Sequence, residues 1–114
     1  MSYDFSKTLK ETQKIRSKYP ERIPVYIKRS KDCIFPDIDK NKFLVPLDIT
    51  LGTFVSVIRK RINLAPEKAL FVFINNVLPP LTSLMSKLYE DLRDPDGFLY
   101  IYYNGESTFG YILS

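Results

Sequence analysis

Few side chains in this 114-residue chain could do chemistry. There is no histidine and a single cysteine, Cys33. Ser–His and Cys–His nucleophile pairs, histidine general bases and the usual zinc sets are therefore not available from it, and no internal disulfide can form. Asp37 and Asp39 are spaced as a carboxylate pair, but they sit beside Pro36 in a polar connection and read as solvated loop residues. An enzyme is not expected, and no metal or cofactor set is proposed. What remains is main chain. The C-terminal stretch begins with the apolar run Phe98-Leu-Tyr-Ile-Tyr-Tyr103 and continues as Asn104-Gly-Glu-Ser-Thr-Phe-Gly110, with Tyr111-Ile-Leu-Ser114 beyond it. Gly110, with no side chain, could lie extended in a narrow enzyme cleft, which would make the protein a substrate. A frayed terminus is the plainer alternative.

The charge is uneven. Residues 1–30 hold eight Lys/Arg (Lys7, Lys10, Lys14, Arg16, Lys18, Arg22, Lys28, Arg29) against three acids, and the remaining 84 hold nine against ten. A basic front end can attract acidic peptides, anionic lipid, tubulin-like surfaces or nucleic acid, or it can simply be a solvated helix face. Nucleic acid is disfavoured, because the basic residues are not interleaved with a stacking platform. No apolar run approaches the ~20 residues of a membrane span, and Met1-Ser-Tyr-Asp-Phe-Ser-Lys7 lacks a secretory core, so a cytoplasmic location, free or peripheral to a membrane, is expected.

The elements that must position these residues follow from periodicity. Phe5, Leu9, Thr12, Ile15 and Tyr19 recur at helical spacing, predicting a helix over 5–18 that Pro20 ends. Arg22–Lys28 is a strand, placed at least locally at an edge because Pro24 has no N–H for a ladder. A polar connection from Ser30 to Asn41 leads to a second strand, Lys42–Leu47, spaced to form a hairpin. Thr50 caps a helix over 51–62 with Phe54, Val57, Ile58 and Ile62 on one side. Leu70–Ile74, apolar throughout, is predicted to be a central strand. Asn75-Asn76 turns the chain, and Thr82 is expected to cap a short helix ending near Leu92. Asp94-Pro-Asp-Gly97 is a turn before the last strand, Phe98–Tyr103, expected to be buried on both faces. Helix, strand, strand, helix, strand, helix, strand describes an α+β β-grasp roll of the ubiquitin type. It has a four-stranded mixed sheet and an N-terminal helical extension. The expected layout is extension 1–20, ubiquitin-like domain 21–104 and C-terminal tail 105–114.

Six blocks then carry a resemblance: Arg22-Ile-Pro-Val25, Asp39-Lys-Asn-Lys-Phe-Leu-Val-Pro46, Val57-Ile-Arg-Lys-Arg61, Pro66-Glu-Lys-Ala69, Asp96-Gly-Phe-Leu-Tyr100 and Gly105-Glu-Ser-Thr-Phe-Gly110. In this order and spacing they resemble the autophagy ubiquitin-like modifier family, the group that includes the GABA-receptor-associated protein, over about residues 5–110. The resemblance implies a cycle in which a cysteine protease cuts between Gly110 and Tyr111, after Phe109. Activating and conjugating enzymes then join Gly110 to phosphatidylethanolamine. It also implies recognition of receptor and cargo motifs with an aromatic and an aliphatic residue separated by two positions. The aromatic pocket would be lined by Glu11, Ile15, Pro24, Tyr26, Lys42, Leu44 and Phe98. The aliphatic pocket would be lined by Phe43, Val45, Pro46, Ile49, Phe54, Val57 and Ile58, with Arg22 near the motif's acidic neighbours. Leu70, Phe71, Val72 and Phe73 resemble a second docking strand, with strand core as the alternative. A monomer that moves between cytoplasm and autophagosomal or vacuolar membranes is implied, with tubulin a further candidate partner. Phe43 stands where the family has tyrosine, and Tyr26 where it has a smaller aliphatic. The competing readings are an unconjugated peptide-docking adaptor and a basic-surface protein that binds tubulin or anionic membrane.

Overall fold

The computed structural model describes residues 3–106. The chain runs α1 (Phe5–Lys18), β1 (Arg22–Arg29), β2 (Lys42–Pro46), α2 (Leu51–Arg61), β3 (Phe71–Phe73), α3 (Met85–Leu92) and β4 (Leu99–Asn104). The strands form one mixed sheet in the order β2-β1-β4-β3. β1 is antiparallel to β2 and parallel to β4, and β3 is antiparallel to β4. This is the expected roll with its leading helix.

Alternation along the strands divides the molecule into two layers. Ile23, Val25 and Ile27 of β1, and Leu99, Ile101 and Tyr103 of β4, are fully buried on one face. They pack with Leu51, Phe54 and Ile58 of α2 and Met85 and Leu88 of α3 in the main core. The opposite face carries Tyr26, Phe98 and Tyr100, whose rings meet at centroid distances of 5.5–5.9 Å. α1 is docked to this aromatic layer. Its start is capped by Asp4, whose carboxylate accepts from Lys7 N at 3.1 Å, and the Tyr19 N–H closes its end on Ile15 O at 2.8 Å. Thr12 is the buried residue of α1, and its hydroxyl donates to Asp96 O at 2.7 Å. Asp96 is itself buried. Its carboxylate accepts from Tyr3 OH, Tyr100 OH and Phe98 N, so a charge that would otherwise be costly to bury is met from three sides.

Four expectations are corrected. β1 is not an edge strand, because it has a partner on each side. The local argument about Pro24 nevertheless stands: its parallel pairing with β4 begins one residue later, at Val25 with Leu99, so no ladder bond is lost. β3 is an edge strand of three residues rather than a central one; Val72, Phe73 and Ile74 are buried all the same, Val72 and Ile74 within the main core. α3 begins at Met85, not after Thr82, and has no side-chain cap. Its first N–H groups instead donate to Ile49 O and Leu47 O, at 2.9 and 3.1 Å, so backbone after β2 does the work a cap would do. Finally, Tyr102 of β4 is 39% exposed, so that strand is not buried on both faces along its whole length.

Candidate functional site

Among the described residues β2 pairs only with β1, which leaves its other edge open there. The pairing register fixes which groups point outward. The Ile27 N–H donates to Asn41 O at 2.8 Å and the Leu47 N–H to Glu21 O at 3.1 Å. Ladder bonds alternate in an antiparallel pair, so Phe43 and Val45 bond inward to Val25 and Ile23, while Lys42, Leu44 and Pro46 turn their main-chain groups outward. Pro24 lies opposite Leu44, in a pair that needs no N–H from it. The open edge therefore offers the N–H and C=O of Lys42 and Leu44. The Arg22 guanidinium also reaches this edge, donating to Leu44 O at 3.3 Å.

Beside the edge lies a pocket of about 330 Å³ lined by Glu11, Ile15, Pro24, Lys40, Lys42, Phe43, Leu44 and Phe98. Each part has a local cause. Glu11 and Ile15 come from α1, held one residue before and three after the Thr12–Asp96 hydrogen bond. Pro24 and Leu44 are opposite one another on β1 and β2, and Phe98 enters where the Asp94–Gly97 turn delivers the chain to β4. Floor and walls are apolar and the rim is charged. Lys42 Nζ is 3.1 Å from Glu11 Oε2 and 5.6 Å from the centre of the Phe98 ring. Both side chains are well exposed, so the pair contributes at most about 1 kcal/mol and can part for a ligand. Lys40 adds a second cation over the Phe43 ring at 5.1 Å.

Six of the seven residues expected around an aromatic pocket thus meet: Glu11, Ile15, Pro24, Lys42, Leu44 and Phe98. Tyr26 does not line the pocket; its ring packs edge-on against Phe98 at 5.9 Å and supports that wall from behind. Lys40 and Phe43 belong to the lining and were not expected there. The signal for Lys40 is its place two residues before Lys42, on the same side of an extended chain.

The second set spans the seam between β2 and α2, where the Phe43 and Phe54 rings meet at 5.7 Å, nearly perpendicular. Val45, Phe54 and Ile58 are core residues, 0–2% exposed, and can only back such a site. Phe43, Pro46 and Ile49 are half-buried, and Val57 is 38% exposed. Val57 therefore flanks the helix's buried stripe of Leu51, Phe54, Val55 and Ile58 and stays free for contact. Of the possible second docking strand, Leu70 and Phe71 are half-buried while Val72 and Phe73 are buried. Phe109 and Gly110 lie outside the described residues. Among the described residues no group of His, Cys, Asp and Glu could hold a metal ion, and no helix is long and apolar enough to cross a membrane.

Comparison with known proteins gives one consistent answer. Residues 7–110 match the family model described as autophagy protein Atg8, ubiquitin like. The chain is 57% identical over 110 residues to autophagy-related protein 8e of Arabidopsis thaliana, covering 96% of this chain and 90% of the relative. It is 52% identical over 109 residues to autophagy-related protein 8 of Candida glabrata, covering 96% and 92%. The fold superposes on the crystal structure of Trypanosoma brucei ATG8 with a TM-score of 0.88 at 42% identity, over 96% of this chain and 95% of that one. It also superposes on Plasmodium falciparum Atg8 in complex with a P. falciparum Atg3 peptide, with a TM-score of 0.84 at 41% identity, over 92% and 93%. By sequence and by fold, this chain belongs to the Atg8 family of ubiquitin-like autophagy proteins.

Proposed function

We propose that this protein is a lipid-anchored modifier of autophagosomal membranes whose β2 edge docks short peptide motifs of receptors and cargo. The observation that carries the reading is the apolar pocket under Lys42 beside an unpaired strand edge. An extended peptide can add to the edge through Lys42 and Leu44 while an aromatic side chain fills the pocket. An aliphatic residue of the same peptide rests on Phe43, Pro46 and Val57, and acidic flanks meet Arg22, Lys40 and Lys42. An aromatic anchor burying ~150–250 Å² contributes roughly 4–6 kcal/mol before ordering costs. Two anchors less those costs fit micromolar binding, about −8 kcal/mol.

Membrane attachment rests on Gly110. A family cysteine protease hydrolyses the Gly110–Tyr111 bond, and activating and conjugating enzymes pass the new carboxyl to the amine of phosphatidylethanolamine. The catalytic groups belong to those partners, not to this chain. The family match extending to residue 110 and the Atg3 peptide bound by the Plasmodium relative support this part. Two acyl chains, at about 0.8 kcal/mol per buried CH₂, anchor stably where one chain is marginal. The protein then divides between cytoplasm and autophagosomal or vacuolar membranes. Intact mass and membrane fractionation of wild type against Gly110→Ala test the proposal. The wild type is expected to lose residues 111–114 and sediment with membranes, and the variant to stay soluble. A wild type that keeps its tail and remains soluble refutes the lipid half and leaves an unconjugated docking adaptor.

A further inference from the structure

The sequence beyond the described residues bears on the open edge of β2. Glu106-Ser-Thr-Phe-Gly-Tyr-Ile112 places an aromatic at 109, an aliphatic three positions on at 112, and an acid three positions before the aromatic. The pocket volume of about 330 Å³ accommodates one aromatic side chain, the adjoining Phe43–Val57 seam offers apolar contact, and the rim is basic at Lys40 and Lys42. We infer that the unprocessed tail, residues 106–112, is itself a ligand for this site, on a second copy of the chain. Phe109 enters the pocket, Ile112 rests on the seam, and Glu106 faces the lysines. The inference rests on the docking site proposed above and adds to it a built-in competitor.

Geometry decides that the contact is between copies. The pocket lies at the Phe98 end of β4, and the tail leaves from the Asn104 end, beside Asp32 and Phe35. Six strand residues separate the two ends by about 20 Å. From Asn104 to Phe109 the chain reaches at most about 17 Å even when fully extended, and the route to the β2 edge must also cross two strand spacings of about 4.8 Å each. The tail's main chain therefore falls short of its own β2 edge, but it can lie along another's. The resulting contact is head-to-tail and leaves one site and one tail free in every open assembly. Cleavage after Gly110 removes Ile112 and so ends the competition as it creates the conjugation end. A precursor at high local concentration would occupy its own docking sites, and a processed chain would present them empty.

The test is sedimentation equilibrium of the full 114-residue chain up to about millimolar concentration, with Ile112→Asp, Lys42→Glu and an equimolar mixture of the two variants. A fluorescence titration with an unrelated acidic peptide carrying an aromatic-x-x-aliphatic sequence serves as control. The Lys42 side chain is 55% exposed, and circular dichroism verifies that each variant is folded. Wild type is expected to grow beyond a dimer with concentration, each variant alone to associate about tenfold more weakly or less, and the mixture to form a 1:1 pair and nothing larger. Association unchanged by Ile112→Asp overturns the inference. So does a monomeric wild type that still binds the control peptide, and in that case the docking site itself stands. If neither the tail nor the control peptide binds, the inference and the docking site fall together.

Discussion

A methyl group added at position 97 would lie 2.0 Å from Thr12 Oγ1 and 2.6 Å from its Cβ, and the backbone there has φ 96°. Gly97 therefore serves two ends: it turns the chain into β4, and it lets α1 approach closely enough for Thr12 to reach Asp96 O. Gly97→Ala is expected to cost about 2–4 kcal/mol in urea denaturation. It should also weaken peptide binding more than its distance from the peptide suggests, because Glu11 and Ile15 ride on the same helix. The sequence made Asp94-Pro-Asp-Gly97 legible as a turn. It did not reveal that Asp96 is the buried hub for Tyr3, Tyr100 and Phe98, since its partners lie up to 93 positions away.

Tyr103 gives a second test at this scale. Its ring is fully buried, its hydroxyl donates to Pro36 O at 2.6 Å, and burial, with the Asp37 charge secondary, pushes its pKa up to about 12. The raised value means that the folded state holds the neutral phenol longer than the unfolded chain does. That stability is whole below the ordinary tyrosine value of about 10 and is lost as pH rises through about 12. Denaturation midpoints should stay level to about pH 9 and fall between pH 10 and 12. Tyr3, Tyr89 and Tyr100 are shifted the same way, so Tyr103→Phe should flatten this decline in part.

Two threonines separate the legible elements from the illegible ones. Thr50 was readable as a cap, and its hydroxyl accepts from Thr53 N at 3.2 Å. Thr82 offered the same local signal, yet α3 starts three residues later on carbonyls supplied by Leu47 and Ile49. Those acceptors arrive only when the chain after β2 folds against the helix, so no local pattern announces them. Thr50→Ala is expected to cost about 1 kcal/mol and Thr82→Ala less than about 0.5 kcal/mol, compared by chemical denaturation. The same reasoning explains β3. An apolar run states that a strand is buried, but helix, loop and neighbouring strand bury it equally well, so central and edge positions read alike.

Across the whole molecule, the two charge regions make separable claims. Lys7, Lys10, Lys14 and Lys18 are exposed along α1, on the same element that presents Glu11 to the pocket. If α1 meets anionic membrane, Lys10→Glu with Lys14→Glu should reduce binding to acidic-lipid vesicles strongly at low salt, and for wild type the binding should fade as ionic strength rises past ~0.15 M. Micromolar peptide affinity should change little in that variant and fall at least tenfold in Lys42→Glu, as read by calorimetry. The roll and the helical extension were readable because strand alternation, helical spacing and prolines constrain them locally. The pocket residues came instead from the family resemblance, with alternation along β2 supporting only the division of Lys42 and Leu44 from Phe43 and Val45. The supporting role of Tyr26 was not readable, because it depends on how the aromatic layer packs across β1 and β4. Lys40 had a local signal, its spacing from Lys42, that the resemblance did not single out.

The open edge of β2 has a consequence for solubility. An unpaired strand edge is normally an invitation to edge-to-edge stacking and fibril growth. Here the exposed row is five residues long, Lys42 stands at one end, and at the other Pro46 occupies an outward position where its missing N–H can hold no further strand. Two copies brought edge to edge would match only a pair of outward N–H donors on each side before meeting a proline. The molecule can keep this edge open at high protein concentration because the edge is too short to template a growing sheet.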